Sequence, residues 1–395
     1  MDLFEKCYSW KDAAIAREQG YYPYFHAIQS GQDTRIVVDG KEMINIGSNN
    51  YLGLTFHPKV IESAQRALEK YGSGCTGSRF LNGTLDYHIE VEEKLARFMN
   101  KEAALMFSTG YQTNLGTISA LMNKDDIVYI DRDDHASIVD GCRMSFGKIV
   151  KFLHNDATDF ERILNMNMKN NSGKLLILDG VYSMGGDIAD LKRLVPICKK
   201  HNIRIMVDEA HSMGIFGEHG CGVCELLGVG DDVDIIMGTF SKSFASIGGF
   251  IAGDFKIIDY IKHKARSLIF SASLPPAALG VVDASLQVIE SEPERRQRLL
   301  EIAGFMCKEF RLLGFNIGLT ESAVIPVIIG DDMNTFRFWG MLNQLGIYAN
   351  PVVSPAVPPN MSLIRTSYTA LHTDDELHQV LEVFKKVGKE LGVIA

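Results

Sequence analysis

The feature that most constrains this chain is a rhythm between residues 100 and 255. Short apolar runs recur there: "EAALMFS", "DIVYIDR", "KIVKFLH", "KLLILDGVYS", "IRIMVDEAH", "DIIMGTFS" and "GGFIAGD". Amphipathic segments such as "ATDFERILNMNMK" and "DLKRLVPICKKHN" lie between several of them. Near-continuous apolar strands separated by helices need cover on both faces. The pattern therefore predicts an α/β fold around a mostly parallel seven-stranded sheet flanked by helices. Ligands of such sheets bind beyond the carboxyl ends of the strands, so polar residues there carry a functional reading.

Two helices are predicted before this core. "PKVIESAQRALEKYG" places Val60, Ile61, Ala64, Ala67 and Leu68 on one face, and "DYHIEVEEKLARFM" aligns Val91, Leu95 and Phe98 behind an expected N-cap at Asp86. After residue 280 the pattern changes to a long helix, strands at "VIPVIIG", "GIYANPVV" and "SLIRTSYTA", and a closing helix. The expected organisation is an N-terminal segment over 1–50, a large domain over 51–280 and a smaller C-terminal α+β domain over 281–395.

Several functional classes are excluded early. A formal net charge of -9 argues against nucleic acid, which demands a basic face. No apolar run approaches the roughly 20 residues that span a bilayer, and "MDLFEKCYSWKDAAIAREQG" lacks the apolar core of a signal peptide. Seven scattered cysteines read as reduced thiols in a cytoplasmic protein. Cys221 and Cys224 form a lone C-x-x-C without the second pair that zinc usually requires, so no metal is expected. Gly72, Gly74 and Gly77 satisfy G-x-G-x-x-G, yet a helix rather than a strand precedes them, so the dinucleotide reading fails.

Polar residues gather at the predicted strand ends. "FSTGYQTN" is a glycine turn entering a helix, whose free N–H groups could hold a phosphate or simply make the turn. "DRDDHASIVDG" offers His135, able to stack on a planar ring. Asp208 in "IMVDEAH" would be a buried carboxylate needing a cation or several donors, with His211 three residues on. Ser183 ends the "DGVYS" run. Lys242 in "MGTFSKSFASIGGF" follows Thr239 and Ser241 at the end of an apolar strand, where a lysine either snorkels to water or does chemistry.

Together these residues suit one cofactor. Pyridoxal 5'-phosphate needs a lysine for its Schiff base, a carboxylate at the pyridinium nitrogen and a phosphate cradle. Lys242, Asp208 and the Gly110 turn supply them.

"GSGCTGSRFLNGT", "STGYQTN", "DDHASIVDG", "VDEAHSMGIFG" and "GTFSKSFASIGGF" resemble the α-oxoamine synthases over nearly the whole chain. The resemblance implies a fold-type I pyridoxal-phosphate transferase that condenses an amino acid with an acyl-CoA and releases carbon dioxide. "GTFSKSF", "GSRFLNGTLDYHIEVE" and "LIRTSYTALHT" look most like the soluble, homodimeric bacterial branch that joins L-serine to palmitoyl-CoA, giving 3-oxosphinganine. Sibling branches use glycine with acetyl-CoA or alanine with a pimeloyl thioester. A non-catalytic partner subunit would lack the lysine, which is present here.

Residue by residue, the resemblance implies that Gly110, Tyr111, Thr239 and Ser241 hold the cofactor phosphate. Ser271 would reach that phosphate from a second subunit, so a homodimer would share its active sites. His135 would stack on the ring and touch the substrate carboxylate. Asp208 would pair with the ring nitrogen, and His211 with Ser183 would bond the ring hydroxyl side. Arg365 would clamp the amino-acid carboxylate, while Asn50 and Tyr51 would border the substrate. Some relatives carry an additional arginine in the loop before the clamp; "NPVVSPAVPPN" has none. A lipid-like product leaves room for peripheral contact with the inner membrane face without an anchor.

Overall fold

The computed structural model describes residues 2–166 and 172–395. The chain divides into two compact units, one formed by Asn49–Glu301 and the other by Met1–Ser48 with Ile302–Ala395.

The first unit is built on seven strands, each matching one of the predicted runs: β1 (Ala103–Phe107), β2 (Ile127–Asp131), β3 (Lys148–Phe152), β4 (Lys174–Asp179), β5 (Arg204–Asp208), β6 (Ile235–Thr239) and β7 (Gly249–Gly253). Their order is β1-β7-β6-β5-β4-β2-β3. The β6-β5-β4-β2-β3 pairs are parallel, and β7 runs antiparallel to both β1 and β6. Val128, Ile130, Ile177, Met206, Ile235 and Ile251 pack into one buried cluster with Ile118, Ile138 and Ile261 of the covering helices. Burial of this kind, at about 25 cal/mol per Å² of apolar surface, drives the fold. The "ATDFERILNMNMK" helix is seen over Ala157–Met166; residues 167–169 of the expected span lie outside the described residues.

Two details of the preceding helices differ from expectation. In Pro58–Tyr71 the buried residues are Val60, Ser63 and Ala67, whereas Ile61 and Leu68 are exposed. The reason is close packing against the helix Pro276–Ser291: a Cβ on Gly280 would meet the Ser63 carbonyl oxygen at 2.4 Å. Backbones that approach so closely select small residues for the seam. The helix Asp86–Phe98 is capped at Leu85, not Asp86, and the Leu85 N–H donates to His88 Nδ1 at 3.1 Å. The boundary read at residue 280 falls inside Pro276–Ser291, which packs within the first unit.

In the second unit the N-terminal strands Arg35–Val38 and Lys41–Asn45 form a sheet with Ile347–Tyr348. "GIYANPVV" is thereby split: Ile347–Tyr348 pairs with Ile44 and Asn45, and Asn350–Val352 with Ser362–Ser367. Val324–Gly330 completes the second sheet. Among the described residues no helix is long and apolar enough to cross a membrane.

Candidate active site

Four parallel strands end side by side in polar residues: Thr239 on β6, Asp208 on β5, Asp179 on β4 and Asp131 on β2. Asp179 and Asp208 are register partners. Beyond these ends lies a cavity of about 330 Å³, lined among others by Gly110, Asn114, His135, Asp208, Thr239 and Lys242.

Asp208 is almost fully buried, as the apolar run before it requires. Its Oδ1 accepts from the Ala210 N–H at 2.9 Å and its Oδ2 from Asn114 Nδ2 at 2.7 Å. Asn114 stands one turn after Gly110 in the helix Gly110–Leu121 and also donates to Ser137 Oγ at 2.9 Å. Ser137 Oγ lies 2.7 Å from His135 Nδ1, which accepts from the Ser137 N–H at 3.2 Å. A ring nitrogen that accepts from a backbone N–H carries no proton, so the neutral ring holds its hydrogen on Nε2. Burial, and Lys242 nearby, hold the His135 pKa below the usual histidine range, against the pull of Asp208.

The helix N-terminus meets β6 closely. Thr109 caps the helix by accepting from the Gln112 N–H, leaving the first-turn N–H groups of Gly110 and Tyr111 directed outward. A Cβ on Gly110 would sit 2.6 Å from Thr239 Oγ1. Thr239 Oγ1 donates to the Gly248 carbonyl at 3.1 Å and lies 3.0 Å from Ser241 Oγ. Backbone N–H groups and two hydroxyls thus converge where an anion gains from the helix dipole. Lys242 is half-buried rather than buried.

Other expected residues have different placements. His211 lines the cavity, and its Nδ1 lies 2.7 Å from the Tyr51 hydroxyl, so Tyr51 orients a site residue. Asn50 closes a local turn, its Oδ1 accepting from the Leu54 N–H and its amide donating to Thr55 Oγ1. Tyr111 lines the cavity and donates its hydroxyl to Asp140. Ser183 is half-buried in the turn after β4, outside the residues lining the cavity. Ser271 accepts from Gln112 Nε2 at 3.2 Å within its own chain. Arg365 belongs to the second unit, buried on the strand Ser362–Ser367.

Asn114, Ser137 and Asp179 were not singled out from the sequence. Asn114 did leave a signal: a polar amide one helical turn after the cradle glycine, on a face that is otherwise buried.

The class I and II aminotransferase model matches residues 41–384. The chain belongs to the class I and II aminotransferase family. It is 49% identical over 377 residues to a serine palmitoyltransferase of Sphingobacterium spiritivorum, covering 95% of this chain and 94% of the relative. It is 37% identical over 378 residues to an 8-amino-7-oxononanoate synthase of Thermoanaerobacter pseudethanolicus, with 96% of each covered. A serine palmitoyltransferase from S. paucimobilis, solved with a bound PLP–myriocin aldimine, superposes with a TM-score of 0.95 at 38% identity over 100% of both chains. The fold of this family member is therefore that of the fold-type I transferases, and its resemblance to the α-oxoamine synthases holds across the chain.

Proposed function

We propose that this chain is a pyridoxal-phosphate-dependent acyltransferase that condenses L-serine with palmitoyl-CoA, releasing CoA and carbon dioxide and giving 3-oxosphinganine. The observation that carries the reading is the convergence, in one cavity, of Lys242, the buried carboxylate of Asp208 and the helix N-terminus at Gly110. Relatives named serine palmitoyltransferase at 45–49% identity over 95% of the chain support the substrate pair.

The residues fit the cofactor. The space beside Thr239 that a Cβ on Gly110 would fill suits the close approach of a phosphate to backbone N–H groups. Asp208, which accepts from the neutral donors Asn114 Nδ2 and the Ala210 N–H, can take a cationic ring nitrogen as a further one. When bound, pyridoxal phosphate supplies an aldehyde for exchange with the substrate amine and a protonated ring that withdraws electrons from the substrate Cα.

The protein's part follows from position. Asp208, buried at the end of β5, would pair with the ring nitrogen and keep it protonated. The Lys242 amine, which lines the cavity, would hold the cofactor and, when free, would be a base tethered at the reacting centre, placed to remove the Cα proton. His135, which lines the cavity, would set its ring and Nε2–H against cofactor and substrate carboxylate. Arg365 offers a fork of donors suited to that carboxylate. A second copy of the chain would bring Ser271 to the phosphate, making the homodimer the working unit. We place the enzyme in the cytoplasm, with peripheral contact at the inner membrane face serving its lipid-like product.

Borohydride reduction of the cofactor-loaded protein, followed by peptide mapping, should label Lys242; a label on any other lysine refutes the assignment. Crossing serine, glycine and alanine with palmitoyl-CoA and short acyl-CoAs then tests the substrate pair. Turnover confined to glycine with acetyl-CoA would overturn it.

A further inference from the structure

We propose that His154 is a positioning residue: a cation behind the residues that line the site, which clamps Asp131 to Asp187 and thereby holds the turn that presents His135. The inference rests on the reading that His135 faces the cofactor and substrate.

The geometry is specific. His154 Nδ1 lies 3.0 Å from Asp131 Oδ1, and Nε2 lies 3.1 Å from Asp187 Oδ2. A neutral imidazole has only one N–H, so one of these contacts would set lone pair against lone pair; two carboxylates require the doubly protonated ring. Tyr182 packs edge-on against the ring at 4.4 Å and donates its hydroxyl to Asp131 Oδ2 at 2.9 Å. Asp133 approaches Nδ1 at 3.7 Å, and Arg132 moderates Asp133. These contacts push the His154 pKa up to about 10, against the cost of burial.

From this clamp a ladder of hydrogen bonds reaches the site. The Asp131 N–H donates to Asp134 Oδ2 at 2.9 Å, and the Asp179 N–H donates to Asp134 Oδ1 at 3.1 Å. Asp179 Oδ2 in turn accepts from the His135 N–H at 3.0 Å. Burial pushes the carboxyls of Asp134 and Asp179 well up, with repulsion second, from Asp179 on Asp134 and from Asp208 on Asp179. A fixed positive charge beside Asp131 and Asp187 offsets the crowding of acids at these strand ends. Its loss would make the potential at His135, which faces Asp208 and Lys242, more negative.

Histidine-labelled nuclear magnetic resonance of the full chain tests this without reference to turnover. His154 should stay doubly protonated from pH 6 to 9, and a midpoint near that of free histidine would overturn the proposal. In His154→Gln the His135 midpoint should move upward, and serine kcat/KM should fall roughly 10- to 100-fold, as misplacement of a site group does. His154→Arg should restore most of both. An unmoved His135 midpoint with unimpaired turnover would refute the positioning role. Should His154→Gln fail to fold, Asp187→Asn should lower the His154 midpoint, and an unmoved midpoint would equally refute the clamp. A wild-type chain inactive with serine and palmitoyl-CoA would sink the substrate reading while leaving the resonance test decisive for this one.

Discussion

Asn114 Nδ2 stands 2.7 Å from Asp208 Oδ2, joining the helix that begins at Gly110, the proposed phosphate cradle, to the strand that ends in Asp208, the acid proposed to pair with the ring nitrogen. The same amide reaches Ser137 and through it His135, so one side chain aligns two site residues. A hydrogen bond to a charged group is worth about 1.5–3 kcal/mol, or about 10- to 150-fold in affinity. Asn114→Ala should therefore weaken cofactor binding by at least about ten-fold, and Asn114→Asp should do more harm by setting a second carboxylate against Asp208. Titration of cofactor absorbance measures both; an affinity for Asn114→Ala matching wild type would refute the role.

Gly110→Ala tests the cradle. The new methyl would lie 2.6 Å from Thr239 Oγ1, closer than real contacts allow, so helix start and strand end must part. Alanine is otherwise the better helix former. The expected outcome is about a ten-fold or greater loss of pyridoxal phosphate affinity with pyridoxal itself little affected, because the anion site is what moves. Equal losses for both ligands would count against a cradle at this position.

Arg365→Ala should raise the KM for serine about 10- to 150-fold, the weight of a charge-assisted contact, with a smaller change in kcat. Steady-state kinetics across serine concentrations decides it; an unchanged KM removes Arg365 from the substrate site.

Much of this was legible because local patterns coincide with the global fold. Each apolar run became a strand, and Asp208 and Lys242 could be read because polar groups interrupt such runs only for a reason. Three other features depend on neighbours far away in sequence. Asn114 is bonded to a residue 94 positions away. Ile61 and Leu68 fit the periodicity yet stay exposed, because Gly280 admits Ser63 rather than a larger residue. The N-terminal strands join Ile347–Tyr348, a pairing no local window contains.

Arg79→Ala should be among the most destabilising single substitutions. Arg79 meets Glu92 with two parallel bonds, at 2.7 and 2.9 Å, and both side chains are nearly buried. Glu92 Oε1 also accepts from the Met106 N–H on β1. Removing the arginine strands a carboxylate, which costs about 3–5 kcal/mol. Urea denaturation should show the loss, and Glu92→Gln in the Arg79→Ala background should recover part of it. A change below about 1 kcal/mol would mean that water reaches the acid.

Two histidines should give the stability profile opposite limbs. His88 is fully buried, with Nδ1 accepting from the Leu85 N–H and Nε2 3.2 Å from the Leu274 carbonyl, to which it donates. This pair of bonds fits the neutral ring, and burial, with Arg79 second, holds its pKa down to about 4 from 6.5. The unfolded chain therefore takes up a proton first as pH falls from 6.5 toward 4, and the stability due to neutral His88 is lost across that window. His154 is the reverse case. Its pKa is raised from 6.5 to about 10, so its contribution is complete below 6.5 and is lost as pH rises through 10. Each group sets a slope of at most about 1.4 kcal/mol per pH unit. Unfolding free energies of wild type, His88→Gln and His154→Gln, measured from pH 4 to 10, should differ accordingly. The wild-type advantage over His88→Gln should shrink toward pH 4, and that over His154→Gln should shrink toward pH 10. Parallel curves for either pair would show that the histidine shares its protonation state with the unfolded chain, contrary to the bonds that hold it.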